Sequence, residues 1–230
     1  MYRIKSVSAA ASAVGRKGHK LWWKLGFPPW AGGTQASAEA ASDQSAQRLK
    51  NAVAATPRLH LACGRNIILT WVNVDLDDCA EVIGWDLRKR LPIANGTVDF
   101  VYAEHFIEHI SLDDGERLMR ECHRVLKPGG VVRLSTPDLA FVVEKYQQGD
   151  ISEWANMGWL PSTPCRMLNE GMRLWGHNFV YDRPELHALL GRAGFKAVID
   201  VPWRESRHEV LNGVECRSYH HELIVEAIRD

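Results

Sequence analysis

The residues able to do chemistry in this 230-residue chain sit at the ends of short apolar runs. Leu61-Ala62-Cys63-Gly64 closes the first run; Asp75-Leu76, Asp86-Leu87 and Glu104-His105 close the next three. Small residues in a turn let a ligand approach backbone N–H groups closely. A carboxylate after a second strand can accept hydrogen bonds from both hydroxyls of a ribose. A carboxylate beside a leucine, as in Asp86-Leu87, offers an acceptor and an apolar surface to a flat base. Histidine is the side chain best suited to proton transfer near neutral pH. Of the 10 histidines, His105 and His109 follow the fourth run, and His177 with Tyr181 lies in LWGHNFVYD, residues 174–182.

These groups are useful together only if something brings the run ends to one place. From Arg58 onward, strand and helix signals alternate. Leu59 to Cys63, Val72 to Asp75, Glu81 to Trp85, Val98 to Ala103 and Val131 to Ser135 read as strands, followed by Lys196 to Val201 and Leu223 to Ile228. Ser111 is an N-cap with Asp113 and Asp114 in the first turn, and Pro128-Gly129-Gly130 stops that helix. Asp182, Pro184 and Gly194 bracket a helix through Ala193. This alternation predicts an α/β fold: an open, mostly parallel sheet with helices on both faces, whose ligands sit at the carboxyl ends of the strands. Residues 148–181 read as an insertion, 31–57 as an Ala/Ser-rich linker, and 58–230 as the domain.

The ordered segments LHLACG (59–64), WVNVDL (71–76), WDLRKRLPIANGTVDFVYAEHFIEH (85–109), ECHRVLKPGGVVRLSTPDL (121–139) and HALLGRAGF (187–195) resemble the class I S-adenosylmethionine-dependent methyltransferases, in a branch with a short first loop. The resemblance implies a seven-stranded Rossmann-like sheet with an antiparallel last strand. It implies that Ala62, Cys63 and Gly64 lie against the methionine part of S-adenosylmethionine, Asp75 and Leu76 at the ribose, and Asp86 and Leu87 at the adenine. Glu104 and His105 would face the methyl group. His105 and His109 are then the expected catalytic bases, and His177 and Tyr181 the expected substrate contacts. The acceptor expected from this branch is a small molecule or sugar, methylated at oxygen. Three departures stand out: His60 replaces the usual acidic residue, Ala62 and Asn66 replace glycines, and only Arg65 to Trp71 link the first two strands. They motivate the alternative of a non-catalytic binding or scaffold protein on the same fold.

Other classes are less consistent with the residues. His105-Phe-Ile-Glu108-His109 matches the H-x-x-E-H pattern of zinc peptidases. It stands at a strand end with no third ligand nearby in sequence, so no metal is expected, and His109 reads as a histidine holding the helix start. The register Ala62, Gly64, Ile67 lacks the third glycine of a dinucleotide turn. Cys63 reads as a small packing residue, and Trp154, Trp159 and Trp175 as either a pocket wall or the insertion's own core. Net charge is zero, but residues 1–30 carry +6 and residues 51–230 carry −6. An acidic domain argues against nucleic acid as a partner. The five scattered cysteines suit a reducing, cytoplasmic setting. The basic arm, with Ile4, Val7, Ala11 and Val14 on one helical face, is open to three readings: a solvated tail, a membrane-surface or protein-docking helix, and a transit peptide.

Overall fold

The computed structural model describes residues 35–230. The arm at 1–30, with its docking and transit readings, lies outside them. The segment expected as linker is instead a helix, α1 (Gln35–Ala55). Alanine-rich sequence favours a helix intrinsically. Leu49 and Val53, one turn apart, anchor its end by entering the core.

The strands β1 (Arg58–Leu61), β2 (Val72–Asp75), β3 (Val82–Gly84), β4 (Val98–Glu104), β5 (Leu126–Thr136), β6 (Ala197–Asp200) and β7 (Leu223–Ile228) form one sheet in the order β3-β2-β1-β4-β5-β7-β6. The first five are parallel to one another, and β7 is antiparallel to both β5 and β6. Helix α2 (Leu112–Val125) follows β4; α3 (Leu139–Gln148) follows β5; α4 (Pro164–Arg173) lies in the insertion; α5 (Arg183–Ala193) precedes β6. Ser111 caps α2 by accepting from the Asp114 N–H, and Asp182 caps α5 by accepting from the Glu185 N–H. Leu118, Cys122 and Val125 of α2 and Leu186, Leu189 and Leu190 of α5 share one core with Leu59, Leu61, Val101, Val132 and Leu134 of the central strands.

Alternate residues of those strands point to the opposite face. There Tyr102 and Val131 pack with Trp71, Leu211 and Val214, so the loop between β6 and β7 covers the sheet. The short first crossover is held on this side too. Asn73 accepts from the Ile68 N–H and donates to the carbonyls of Ile68 and Trp71. His60 Nδ1 lies 3.1 Å from Asn73 Oδ1, and its ring stacks on Tyr102. A neutral imidazole in the place of an acid therefore serves as a buried pin for the loop. Arg133 of β5 is fully buried on the same face, paired with Glu215 and Glu226 at 2.6 Å each and donating to the carbonyls of Pro202 and Glu205. It fastens the covering loop to β5 and β7.

Two outcomes follow from these buried groups. Burial lowers the His60 pKa to about 4 despite its bond to Asn73. A folded-state pKa below the unfolded value of 6.5 means that the unfolded chain takes up the proton first as pH falls. The stability His60 contributes is thus complete above pH 6.5 and is lost between there and about pH 4. Urea unfolding at pH 7 and pH 5 should differ by about 2 kcal/mol from this group, and His60→Gln should remove that share of the difference; an unchanged pH dependence contradicts the assignment. Arg133→Ala leaves two buried carboxylates without their cation and should cost about 3–5 kcal/mol in the same measurement.

Candidate active site

The carboxyl ends of β1, β2, β4 and β5 meet along one edge of the sheet. At β1, Ala62 and Gly64 adopt left-handed backbone with φ of 50° and 53°. Gly64 tolerates this without cost, whereas Ala62 does so under strain, as residues at ligand turns often do. A Cβ built on Gly64 meets nothing within 4 Å, so the turn faces open space. Asp75 stands beside it, with Oδ2 accepting from the Gly64 N–H at 2.7 Å and Oδ1 from the Leu76 N–H at 2.6 Å. Each oxygen keeps a further lone pair. Leu76 is half exposed. Turn, carboxylate and exposed leucine thus form a cradle that fits a hydroxylated, partly apolar ligand such as the ribose and methionine parts of S-adenosylmethionine.

Other residues of the expected cofactor set are placed differently. Cys63 is buried, and burial with the nearby Asp75 charge raises its thiol to about 12, so it is a neutral packing group. Leu87 is buried in the main core and has no side-chain surface left for an adenine; its spacing after Asp86 did not reveal which way it turned. The Asp86 carboxylate is held by Arg88 through two bonds of 2.9 Å, which keep its pKa below the usual range. Glu104 is buried and turns toward the loop before β7, accepting from the backbone N–H groups of Cys216 and Arg217 and from the Cys216 thiol.

Beyond β4 the chain turns sharply at His105, with φ of 50°, into a single 3-10 turn at Ile107–His109. His105 Nδ1 lies 3.2 Å from Glu108 Oε1, and Nε2 lies 3.6 Å from Glu222 Oε1. Burial alone would lower its pKa, but the two carboxylates outweigh this and raise it to about 9. With both ring nitrogens turned to carboxylates, His105 is a cation at neutral pH. The expectation that it acts as a base is therefore corrected. Glu108 is completely buried. Desolvation pushes its pKa up, yet the His105 hydrogen bond and charge hold it below the usual range. Its Oε2 accepts from Thr136 Oγ1 at the end of β5.

The insertion closes over this turn. Asn178 N–H and Phe179 N–H donate to the Glu108 carbonyl, and the Asn178 side chain donates to the His109 carbonyl. These bonds carry His177 to His109, ring centroids 5.0 Å apart. His177 Nδ1 lies 2.9 Å from the Gly171 carbonyl of α4, which can only accept, so Nδ1 carries the hydrogen and Nε2 a lone pair. Burial lowers the pKa of both His109 and His177, so both are neutral at pH 7. Tyr181, expected at the substrate, is instead fully buried in the main core. Its ring packs against Phe179, and its backbone carbonyl accepts from Leu139 N–H.

Together these elements enclose a cavity of about 330 Å³. Its walls are Phe141 and Val142 of α3 and Trp154, Trp159 and Trp175 of the insertion; His105, His109, His177, Arg217 and Glu222 supply its polar side. The tryptophans touch in series, Trp154 to Trp159 to Trp175, the last reaching His177. A Cβ on Gly171 would stand 3.2 Å from the Trp159 ring, so that glycine admits the indole. The residue types of the insertion left open whether its tryptophans form a pocket wall or a core. Trp154 does both, packing with Val142 and Met167. Glu222 and Arg217 were missed. The signal for them was available: an antiparallel last strand begins at the edge where its neighbours end, so the residues before β7 also face the site.

Residues 77–134 match the family model described as methyltransferase domain. No curated protein matches the chain. Among solved structures, it is similar to a possible histamine N-methyltransferase from Thermotoga maritima at 15% identity, with 85% of this chain and 96% of that chain covered and a TM-score of 0.47. It is likewise similar to a methyltransferase from Archaeoglobus fulgidus at 14% identity, covering 82% and 94%, with a TM-score of 0.49. A third, from Mesorhizobium loti, has 16% identity, coverage of 82% and 98%, and a TM-score of 0.45.

Proposed function

We propose that this chain, which carries a class I S-adenosylmethionine-dependent methyltransferase domain, methylates an oxygen of a small acceptor, a phenol or a sugar, held in the aromatic cavity beside His109 and His177. The observation that carries this reading is the position of that cavity. It opens from the turn after β4, on the same sheet edge as the Gly64–Asp75 cradle, and is walled by the insertion. Its size suits a small molecule rather than a polymer segment. Indoles packed at tilted and edge-to-face angles offer flat faces to an aromatic ring or to the apolar face of a sugar.

When bound, S-adenosylmethionine supplies an electrophilic methyl group on a sulfonium, and the protein's work is to orient the acceptor and exclude water. Asp75 and the turn at Ala62–Gly64 hold the nucleoside and methionine parts. Trp154, Trp159 and Trp175 exclude water and fix the acceptor. The acceptor hydroxyl meets the ring nitrogens of His109 and His177, hydrogen-bond acceptors that draw its hydrogen away and raise its nucleophilicity, with the buried Glu108 carboxylate behind them. His105, a cation clamped between Glu108 and Glu222, orients that set rather than taking a proton from it.

Titration calorimetry of the full-length protein with S-adenosylmethionine should give one site with a micromolar dissociation constant; no binding up to millimolar concentration by the folded protein removes the reading. Asp75→Ala should weaken that site by about 1–3 kcal/mol, and an unchanged affinity would move the ribose elsewhere. A panel of phenolic and sugar acceptors, followed by release of S-adenosylhomocysteine, tests the acceptor class. With the best acceptor, Trp159→Ala should raise KM about tenfold while leaving cofactor affinity unchanged, given roughly 1 kcal/mol or more for an aromatic contact. Tight cofactor binding with no turnover on any acceptor would favour a non-catalytic binding protein.

A further inference from the structure

We infer that Glu108, His109 and His177 form a binding site for a divalent first-row transition-metal ion at the side of the acceptor cavity that His109 and His177 line, with Glu108 buried behind them. One ligand atom from each lies within 4.8 Å of the other two, the span of a single coordination sphere. Two imidazoles and one carboxylate on one side of an ion leave its other positions open, an arrangement suited to ions that bind nitrogen and oxygen ligands together.

Three further observations point to an ion rather than a packing cluster. Glu108 is completely buried, and its Oε1 meets a single group, His105 Nδ1 at 3.2 Å, in poor hydrogen-bond alignment, which leaves a lone pair over. That oxygen is aimed at His109, whose Nε2 lies 3.8 Å away. A distance of this kind is too long for a hydrogen bond and suits two ligands of one ion. The supporting contacts are also those of a ligand set. His177 donates its other ring nitrogen to the Gly171 carbonyl, and Glu108 Oε2 accepts from Thr136, bonds that fix the orientation of each donor. The two segments bearing the ligands are tied by the bonds of Asn178 and Phe179 to Glu108 and His109, so the set is assembled before an ion arrives.

This inference rests on the reading of the cavity as the acceptor site; with the ion bound, the lone pairs of His109 and His177 are held by the ion and no longer accept from the acceptor hydroxyl directly. A cation there would bind the acceptor hydroxyl at an open position and favour its oxyanion, the displaced proton passing to solvent. No metal was expected from the sequence, where the H-x-x-E-H pattern, with His105 and His109 as its histidines, lacked a third ligand nearby. The fold replaces His105, whose nitrogens are turned to Glu108 and Glu222, with His177 from 72 residues further on.

The test is metal binding by untagged, full-length protein, stripped with chelator and titrated with Co(II), read by visible d–d absorption and by metal analysis after desalting. The expected result is one Co(II) per chain, displaced by Zn(II) and not by Mg(II), with affinity reduced at least about tenfold in His177→Gln and in Glu108→Gln. Glu108 is a buried hub and its variant risks misfolding; His177 stands on the insertion, so its variant carries the test alone if necessary, with folding checked by circular dichroism. No stoichiometric binding by the folded protein at millimolar Co(II), or binding that both variants leave unchanged, overturns the site. Neither measurement uses acceptor or S-adenosylmethionine. A failed metal titration beside successful cofactor calorimetry would therefore overturn the metal site and leave the methyltransferase reading standing.

Discussion

A single buried carboxylate organises the working edge of this protein. Glu108 has no exposure to water, so its charge must be met from within. Thr136 meets one oxygen from the end of β5, and the His105 imidazolium lies beside the other. Its backbone carbonyl takes two N–H groups from the returning insertion. Three parts of the chain far apart in sequence are thereby fixed to one residue: the end of β4, the end of β5 and residues 178–179. The strained backbone at His105 follows from the same requirement, since only that turn brings its ring between Glu108 and Glu222.

The other end of the site depends on how a very short crossover is tolerated. Ten residues between β1 and β2, three of them in the turn at Ala62–Gly64, leave no room for a covering helix. The sheet face is closed instead by Trp71 and Ile68 from the crossover and by Leu211 and Val214 from the loop before β7. Closing a sheet with loops exposes backbone polar groups to burial, and buried polar side chains compensate. Asn73 satisfies the crossover, and Arg133 satisfies the carbonyls of Pro202 and Glu205 while pairing with Glu215 and Glu226. The departures at His60 and the first loop are thus parts of one solution, because His60 stacks on Tyr102 and meets Asn73. That arrangement keeps the Gly64–Asp75 cradle intact.

The insertion sets what the protein can take. Its helix α4, capped by Thr163 and starting at Pro164, carries Gly171, whose missing side chain admits Trp159. The resulting aromatic wall lines the same cavity as His109 and His177. Among the described residues no helix is long and apolar enough to cross a membrane.

Amino-acid sequence alone determined the order of the seven strands and the helices capped by Ser111 and Asp182, because apolar period, those caps and the stop at Gly194 are local properties of the backbone; the helix Pro164–Arg173 inside the insertion was not legible in it. It also determined that Gly64 and Asp75 belong together, since successive strand ends in a parallel sheet share one edge. It misread residues 35–55, where low apolarity hid the two side chains, Leu49 and Val53, that dock the helix. Tertiary structure alone decided which way each side chain turned: Leu87 and Tyr181 into the core, Glu104 toward Cys216 and Arg217, His105 into a clamp of carboxylates. It alone brought His177 to Glu108 and His109, because that meeting rests on bonds between residues about 70 positions apart, a separation at which no spacing rule operates.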